Sequence, residues 1–147
     1  LRDTAQNLKE RMDGFMDVIS KYPELEVNIK LTESSGINER WQEIKKAIQY
    51  DPKFDCFVCL DSVGSFMVRK MKEELGMTPL SVVFDKIDDS RIPLETGNTY
   101  VLAQRQRLWG ELVVRRLNEV CNGKTIQDKE DTGTYEINRN NMSVFFK

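Results

Sequence analysis

The sequence predicts an α/β fold, doubly wound around a mainly parallel sheet, in which residues 1–147 form a single Rossmann-like domain. The first observation behind this prediction is that short apolar runs alternate with amphipathic stretches of helical period along most of the chain. The second is residues 54–75, where the continuous apolar run 56–60 gives way, across a polar turn, to apolar residues at helical spacing. A strand, a tight turn and a helix in this order make half of a βαβ unit.

The first part of the chain is predicted to contain two helices and one strand. Residues 4–21 have an apolar stripe at helical spacing that ends before Pro23, and residues 38–49 have a second stripe that ends before Pro52. Between them, residues 25–31 alternate apolar and polar side chains, which is the period of a strand.

The strand at 56–60 is predicted to be buried on both faces, because its apolar run is unbroken, with Cys56 and Cys59 as small core side chains. The polar pair Asp61-Ser62 is suited to capping the helix predicted over 63–75. Further strands are predicted at 80–84 and 99–103, a short helix within 86–98, a helix with an inward apolar face over 107–120, and short strands at 134–137 and 143–146.

The composition excludes several kinds of chemistry. The chain has no histidine, so Ser-His and Cys-His nucleophile pairs and imidazole metal ligands are ruled out. Its cysteines are odd in number, and Cys56 and Cys59 would point to opposite faces of a strand, so neither a disulfide framework nor a thiolate metal site is predicted. No glycine-rich phosphate loop occurs, and the net charge of -2 argues against nucleic acid as a partner. We therefore expect no metal, no cofactor and no enzymatic activity.

Polar residues stand at the carboxyl ends of the predicted strands. Asp61, Asp85 and Gln104 each follow one strand, and Ser34 and Ser35 follow another. Because the carboxyl ends of parallel strands share one edge of a sheet, these groups would converge there and could hold a small polar ligand by hydrogen bonds. The alternative for each residue taken singly is a helix cap or a solvated loop residue.

With the strand ends placed, the sequence resembles the type 1 periplasmic-binding-protein family. These are sugar-binding proteins of bacterial uptake systems, together with the ligand domains of lactose-repressor-type regulators. The similar stretches occur in the family's order. Residues 9–15 resemble a helix motif R-x-x-G-F, residues 50–58 resemble the approach to the central strand, and residues 82–85 resemble a VVGFD strand. Residues 101–104 with Gly110 resemble ATIAQ-x5-G, and residues 122–124 resemble the turn after the next helix.

The resemblance covers only the carboxy-terminal half of the family's two-lobed fold, in which the lobes close on a ligand through a hinge. It places the family's ligand-binding aspartate at Asp85, its hinge-side glutamine at Gln104 and a ligand-binding basic residue at Lys9. It also implies that residues 105–147 would contact an amino-terminal lobe. A fragment without that lobe would expose apolar residues of the helix 107–120, so either self-association or an altered docking of the last helix and the tail is expected.

Two departures from the family pattern concern the ligand. Leu60 stands in place of an asparagine before Asp61, and residues 34–36 replace an aromatic residue that often stacks on sugar.

The resemblance implies a non-enzymatic, extracytoplasmic binding protein, lipoprotein-anchored in its intact form, that captures a small polar ligand, such as a carbohydrate, for an ABC-type permease or a sensor. The alternative is the cytoplasmic effector domain of a lactose-repressor-type regulator or a sensor domain. A small flavodoxin-like enzyme or response-regulator-like module is also compatible with the order of elements.

Overall fold

The computed structural model describes residues 5–146, which form five helices and four strands. In chain order these are α1 (Gln6–Ile19), α2 (Ile37–Tyr50), β1 (Cys56–Cys59), α3 (Gly64–Leu75), β2 (Leu80–Phe84), α4 (Arg91–Glu95), β3 (Thr99–Gln104), α5 (Gln106–Cys121) and β4 (Thr134–Ile137). Two 3-10 turns, Asp88–Ser90 and Met142–Val144, complete the regular structure. The predicted start of the first helix at Thr4 lies outside the described residues.

The four strands form one sheet in the order β1-β2-β3-β4. β1, β2 and β3 are parallel, and β4 is antiparallel to β3. Parallel neighbours require crossover connections, and α3 and α4 supply them between β1 and β2 and between β2 and β3. The predicted α/β fold with a mainly parallel sheet is therefore confirmed.

One face of the sheet carries the core. Val83, Val101 and Ile137 on neighbouring strands are fully buried and pack with Val68 of α3 and Leu94 of α4. A second cluster joins α2 to α3 on the same side of the sheet, since Phe57 of β1 packs against both clusters. Its buried members are Trp41, Ile48, Phe66, Met67 and Met71. Burial of this face accounts for the helical stripes seen in the sequence.

The opposite face of the sheet is largely open. Val58, Val82 and Tyr100 lie in register across β1, β2 and β3, and Val58 and Tyr100 are each 37% exposed. β1 pairs only with β2, so it is an edge strand, and Cys56 on this face is exposed. The prediction that the first strand is buried on both faces is therefore wrong, and of its two cysteines only Cys59 packs against the core. An apolar run does not reveal whether both faces of a strand find a covering layer.

Two of the predicted strands are absent from the described residues. Residues 25–31 form no ladder, and Leu25, Val27, Ile29 and Leu31 are 38–56% exposed. A strand requires a partner as well as an alternating pattern, and this segment has none in residues 5–146. In place of the second absent strand, residues 143–146, the chain forms a 3-10 turn, and Phe145 directly after this turn stacks on Tyr135 of β4.

The helix α5 buries no residue, contrary to its predicted inward face. Val113, Val114 and Leu117 are 66%, 69% and 63% exposed. Polar side chains connect the helix to the following tail instead: Trp109 Nε1 donates to Thr132 Oγ1 at 2.7 Å, and Arg116 forms an ion pair with Glu130. The apolar residues of α5 do recur at helical spacing, and Leu108 and Leu112 are half-buried, but the described part of the chain leaves Val113, Val114, Leu117 and Val120 at least half exposed.

Candidate functional site

Asp85 and Gln104 meet at the carboxyl edge of the sheet. They follow or end the adjacent parallel strands β2 and β3, and Gln104 Nε2 donates a hydrogen bond to Asp85 Oδ1. The backbone of Asp85 is in the left-handed region, with φ 65°, and its N–H donates to Leu102 O at 2.9 Å. A non-glycine residue held in this region is uncommon and such residues cluster at binding sites. The fold thus fixes a carboxylate and an amide together at this edge.

Arg11 of α1 joins this pair to the neighbouring strand. Its guanidinium is 3.5 Å from Asp85 Oδ2, lies 4.5 Å from the centroid of the Phe84 ring, and donates to Leu60 O at 2.8 Å. Arg11 and Asp85 side chains are each only 15% exposed. Because Leu60 directly follows β1, one arginine links the ends of β1 and β2.

Asp61 occupies the next position along the edge, after β1. Its Oδ2 accepts from Arg40 of α2 at 2.8 Å, and its Oδ1 accepts from the backbone N–H of Ser62 at 2.6 Å. Arg40 also donates from Nε to Thr32 Oγ1 at 3.0 Å. Asp61 therefore caps no helix: α3 begins after Val63 without a side-chain cap.

The surroundings of Asp61 keep it ionised. Burial alone would raise the pKa of its carboxyl, but the hydrogen bond and the charge of Arg40, with the hydrogen bonds from Ser62, outweigh burial and hold the pKa below its usual range. The carboxylate is thus a fixed negative charge opposite a fixed positive one.

The remaining two predicted site residues are exposed. Lys9 lies on α1, two residues before Arg11, and Ser35 lies in the turn before α2. Next to Ser35, the carboxylate of Glu43 accepts hydrogen bonds from the backbone N–H groups of Glu33 and Ser34 and from the Ser34 hydroxyl. The Ser34 hydroxyl is the main reason why the pKa of Glu43 is lowered. The turn is thereby fixed to α2, and Ser35 is exposed beside it.

A groove of about 480 Å³ runs beside Gln104. Its volume is in the range of small-molecule sites. It is lined by Lys86, Gln104, Arg105, Gln106, Arg107, Leu108, Glu111 and Tyr135. The carboxyl edge of the sheet is therefore bordered by a concave surface between β3, β4 and the start of α5. Among residues 5–146 no group of three acidic or thiol side chains is placed to hold a metal ion.

Comparison with solved structures shows which known proteins share this fold. An ABC transporter solute-binding protein from Burkholderia graminis in complex with D-arabinose matches with a TM-score of 0.86 and 24% identity, over 99% of this chain and 53% of that one. One from Agrobacterium vitis, bound to α-D-tagatopyranose, matches with a TM-score of 0.82 and 19% identity, over 92% of this chain and 47% of that one. The chain has the fold of a solute-binding-protein lobe.

The lobe spans about half the length of the solved chains that it matches. The same fold also occurs in a LacI-type transcriptional regulator from Bacteroides fragilis, with a TM-score of 0.76 and 13% identity, over 95% of this chain and 50% of that one. No protein-family model matches the sequence, and neither does any curated protein sequence. None of the helices in residues 5–146 combines the length and apolar character needed to cross a bilayer.

Sequence reasoning did not single out the two arginines of the lobe's edge. Arg11 is the arginine of the R-x-x-G-F-like motif, so a signal for it was present. Arg40 gave no signal, because a charged residue beside Trp41 on an amphipathic helix is usually solvated. In the structure Arg40 is only 7% exposed, since Thr32 and Asp61 both approach it. Only the tertiary contacts distinguish it from a surface residue.

Proposed function

We propose that the chain is the ligand-binding, carboxy-terminal lobe of a solute-binding protein that captures a small polar molecule of carbohydrate type. The observation that carries the proposal is the Asp85–Gln104 pair at the carboxyl edge of the sheet, next to a groove. In open α/β sheets this edge is where ligands bind. The matched proteins with D-arabinose and α-D-tagatopyranose support a ligand of this kind.

Each site residue has a chemical role in this proposal. Asp85 accepts hydrogen bonds from ligand hydroxyl groups while Gln104 and Arg11 hold it in place. Asp61, fixed by Arg40, offers a second acceptor, and the exposed Lys9 and Ser35 supply further contacts from α1 and the turn before α2. Fixed polar groups give orientation and specificity to small-ligand sites.

The intact protein, in this proposal, has a second lobe that closes over the same edge, and α5 and the residues after it contact that lobe. The apolar residues of α5 that are at least half exposed and the extent of the match to the longer relatives support this; those residues are Val113, Val114, Leu117 and Val120. The protein lies outside the cytoplasm and is anchored as a lipoprotein. It binds its ligand without catalysing a reaction and delivers it to an ABC-type permease or a membrane sensor.

The proposal is tested by measuring the thermal unfolding of the chain with and without D-arabinose, D-tagatose and D-fucose. A ligand at about 100 times its dissociation constant stabilises a protein by about 2.7 kcal/mol, which raises the unfolding midpoint measurably. Asp85→Asn should abolish the rise. Asparagine tolerates the left-handed backbone at this position, so the variant should fold. Asp128→Asn, in the exposed tail, is the control. The proposal fails if no polar metabolite raises the midpoint or if Asp85→Asn leaves the rise unchanged.

The second candidate is the effector domain of a LacI-type regulator, which the Bacteroides fragilis structure favours. The residues encoded ahead of Leu1 distinguish the two. A helix-turn-helix there makes the chain a regulator domain, whereas an export or lipoprotein signal makes it part of an uptake or sensing protein.

A further inference from the structure

The groove beside Gln104 has an excess of positive charge at its wall. Lys86 and Arg105 both line it. The third basic residue there, Arg107, forms an ion pair with Glu111 at 3.1 Å, so those two charges cancel. Within residues 5–146, neither Lys86 nor Arg105 has a carboxylate at ion-pair distance. In the described part of the chain, the two cations at the wall of this concave surface thus have no ion-pair partner.

Both cations are held against aromatic rings. Lys86 Nζ lies 5.1 Å from the centroid of the Phe146 ring, and the Arg105 guanidinium lies 5.9 Å from that of Tyr135. Contacts of this kind attract a cation to the ring face without neutralising its charge. Tyr135 also stacks on Phe145, so the ring beneath Arg105 is itself fixed. The two positive groups are therefore positioned by the fold and remain available to an anion.

The two aspartates at the edge of the sheet do not compensate these cations. Asp85 is paired with Arg11 at 3.5 Å, and Asp61 with Arg40 at 2.8 Å. The edge of the sheet is accordingly close to neutral, and Lys86 and Arg105 make the groove next to it positive. This contrasts with the net charge of -2 for the whole chain.

We propose that the ligand of this lobe carries an anionic group, a carboxylate or a phosphate, on a sugar-like skeleton. Lys86 and Arg105 hold the anionic group in the groove, while Asp85 and Gln104 contact the hydroxyl groups. Charge-assisted hydrogen bonds of this type are stronger than neutral ones and would select a sugar acid or sugar phosphate over the neutral sugar. The inference rests on the proposed function, because it assigns the ligand class of the same site.

The test uses the chain and probes that differ at one position. D-Fucose has a methyl group where D-galacturonate has a carboxylate and D-galactose 6-phosphate a phosphate ester, and inorganic phosphate serves as the bare anion. NMR titration measures each dissociation constant at about 20 mM and about 200 mM salt, since an electrostatic preference weakens as salt is added. The variants Lys86→Gln and Arg105→Gln are compared with Lys46→Gln, an exposed residue of α2 outside the groove.

We expect one of the two anionic sugars to bind at least about tenfold more tightly than D-fucose at low salt, and each groove variant to reduce this preference about threefold or more. Which of the two binds better distinguishes carboxylate from phosphate. If D-fucose binds as well as both anionic sugars, or if Lys46→Gln acts like the groove variants, the inference is overturned while the proposed function stands. Binding of inorganic phosphate as tight as that of the anionic sugars also overturns it. If no sugar binds, the proposed function itself fails.

Discussion

Arg40 is a nearly buried charged residue at the edge of the sheet. From α2, its side chain hydrogen-bonds both to Thr32, at the end of an extended segment, and to Asp61, after the end of β1. A nearly buried guanidinium is tolerated only because its donors are met by partners. The candidate site therefore depends on a charged residue that contacts no ligand in the proposed function.

Replacing Arg40 tests this role. Arg40→Met keeps most of the aliphatic stem but leaves Asp61 without its partner, so the free energy of unfolding at pH 7 should fall by about 2 kcal/mol. Because the pKa of Asp61 is lowered in the folded chain, the ion pair contributes fully above the ordinary carboxyl pKa and is lost as pH falls through the folded value. The difference between wild type and variant in urea denaturation should accordingly shrink on acidification below about pH 4. Lys46→Met, exposed on the same helix, is the control, and an unchanged stability of Arg40→Met would contradict the prediction.

Gly64 is a second residue whose identity the packing dictates. A Cβ atom added there would lie 2.7 Å from Val83 Cβ and 2.8 Å from Cys59 Cβ, so α3 can approach β1 and β2 this closely only with glycine. Gly64→Ala should destabilise the chain by about 2 kcal/mol in denaturant unfolding. Gly14→Ala in α1, where the added Cβ would meet no atom within 4 Å apart from the local helix backbone and the chain neighbours, should instead stabilise the chain by about 0.5–1 kcal/mol. Equal effects of the two substitutions would show that close packing is not the reason for Gly64.

At the scale of elements, Glu74 joins α2 to α3. Its carboxylate accepts from Lys45 at 2.7 Å, from Trp41 Nε1 at 3.0 Å and from Lys70 at 3.0 Å. The hydrogen bond from Lys45 is the largest cause of its low pKa, followed by those from Trp41 and Lys70, and together they lower the pKa of Glu74 to about 2. The helix pair is thus joined by a polar contact above its apolar cluster.

This contact predicts an unusual acid titration. By NMR, the carboxyl carbon of Glu74 should titrate near pH 2, well below its ordinary value of 4.5. Because the pKa of Glu74 is depressed in the folded chain, the contact makes its full contribution to stability above pH 4.5. That contribution is lost only as pH falls toward 2. Lys45→Met should raise the midpoint, whereas Lys72→Met, exposed on α3, should leave it unchanged. A wild-type midpoint near 4.5 would disprove the contact.

Residues 25–31 show how an element can fail although its pattern is correct. The alternation of Leu25, Val27, Ile29 and Leu31 fits a strand, yet all four side chains are exposed. The described residues offer neither a ladder partner nor a covering layer for the segment. The alternating pattern therefore indicates that this segment favours an extended strand conformation. It forms no strand because no neighbouring strand among the described residues pairs with it.

At the scale of the whole molecule, the exposed stripe of α5 should govern association. Val113, Val114, Leu117 and Val120 are at least half exposed, and an apolar patch of this kind is usually covered in the native assembly. In sedimentation at increasing concentration, the chain should self-associate. Leu117→Glu should weaken association without lowering stability by more than about 0.5 kcal/mol, since the residue buries little.

Two further variants separate association from folding. Asn118→Glu places the same charge beside the stripe and should leave association unchanged. Leu94→Ala removes a fully buried side chain of α4 and should cost about 2–5 kcal/mol of stability. A chain that stays monomeric at high concentration would contradict the prediction of self-association.

The sequence by itself determined the alternation of helices and strands, the parallel β1-β2-β3 core and the meeting of Asp85 with Gln104. These follow from local periodicity and from the rule that parallel strands end at one edge, both of which are properties of short stretches of chain. The tertiary structure alone decided the burial of Arg40 by Thr32 and Asp61, the exposure of α5, and the lack of a strand partner for residues 25–31 among residues 5–146. Those outcomes depend on which surfaces from distant parts of the chain cover one another, and the period of a segment contains no information about its neighbours.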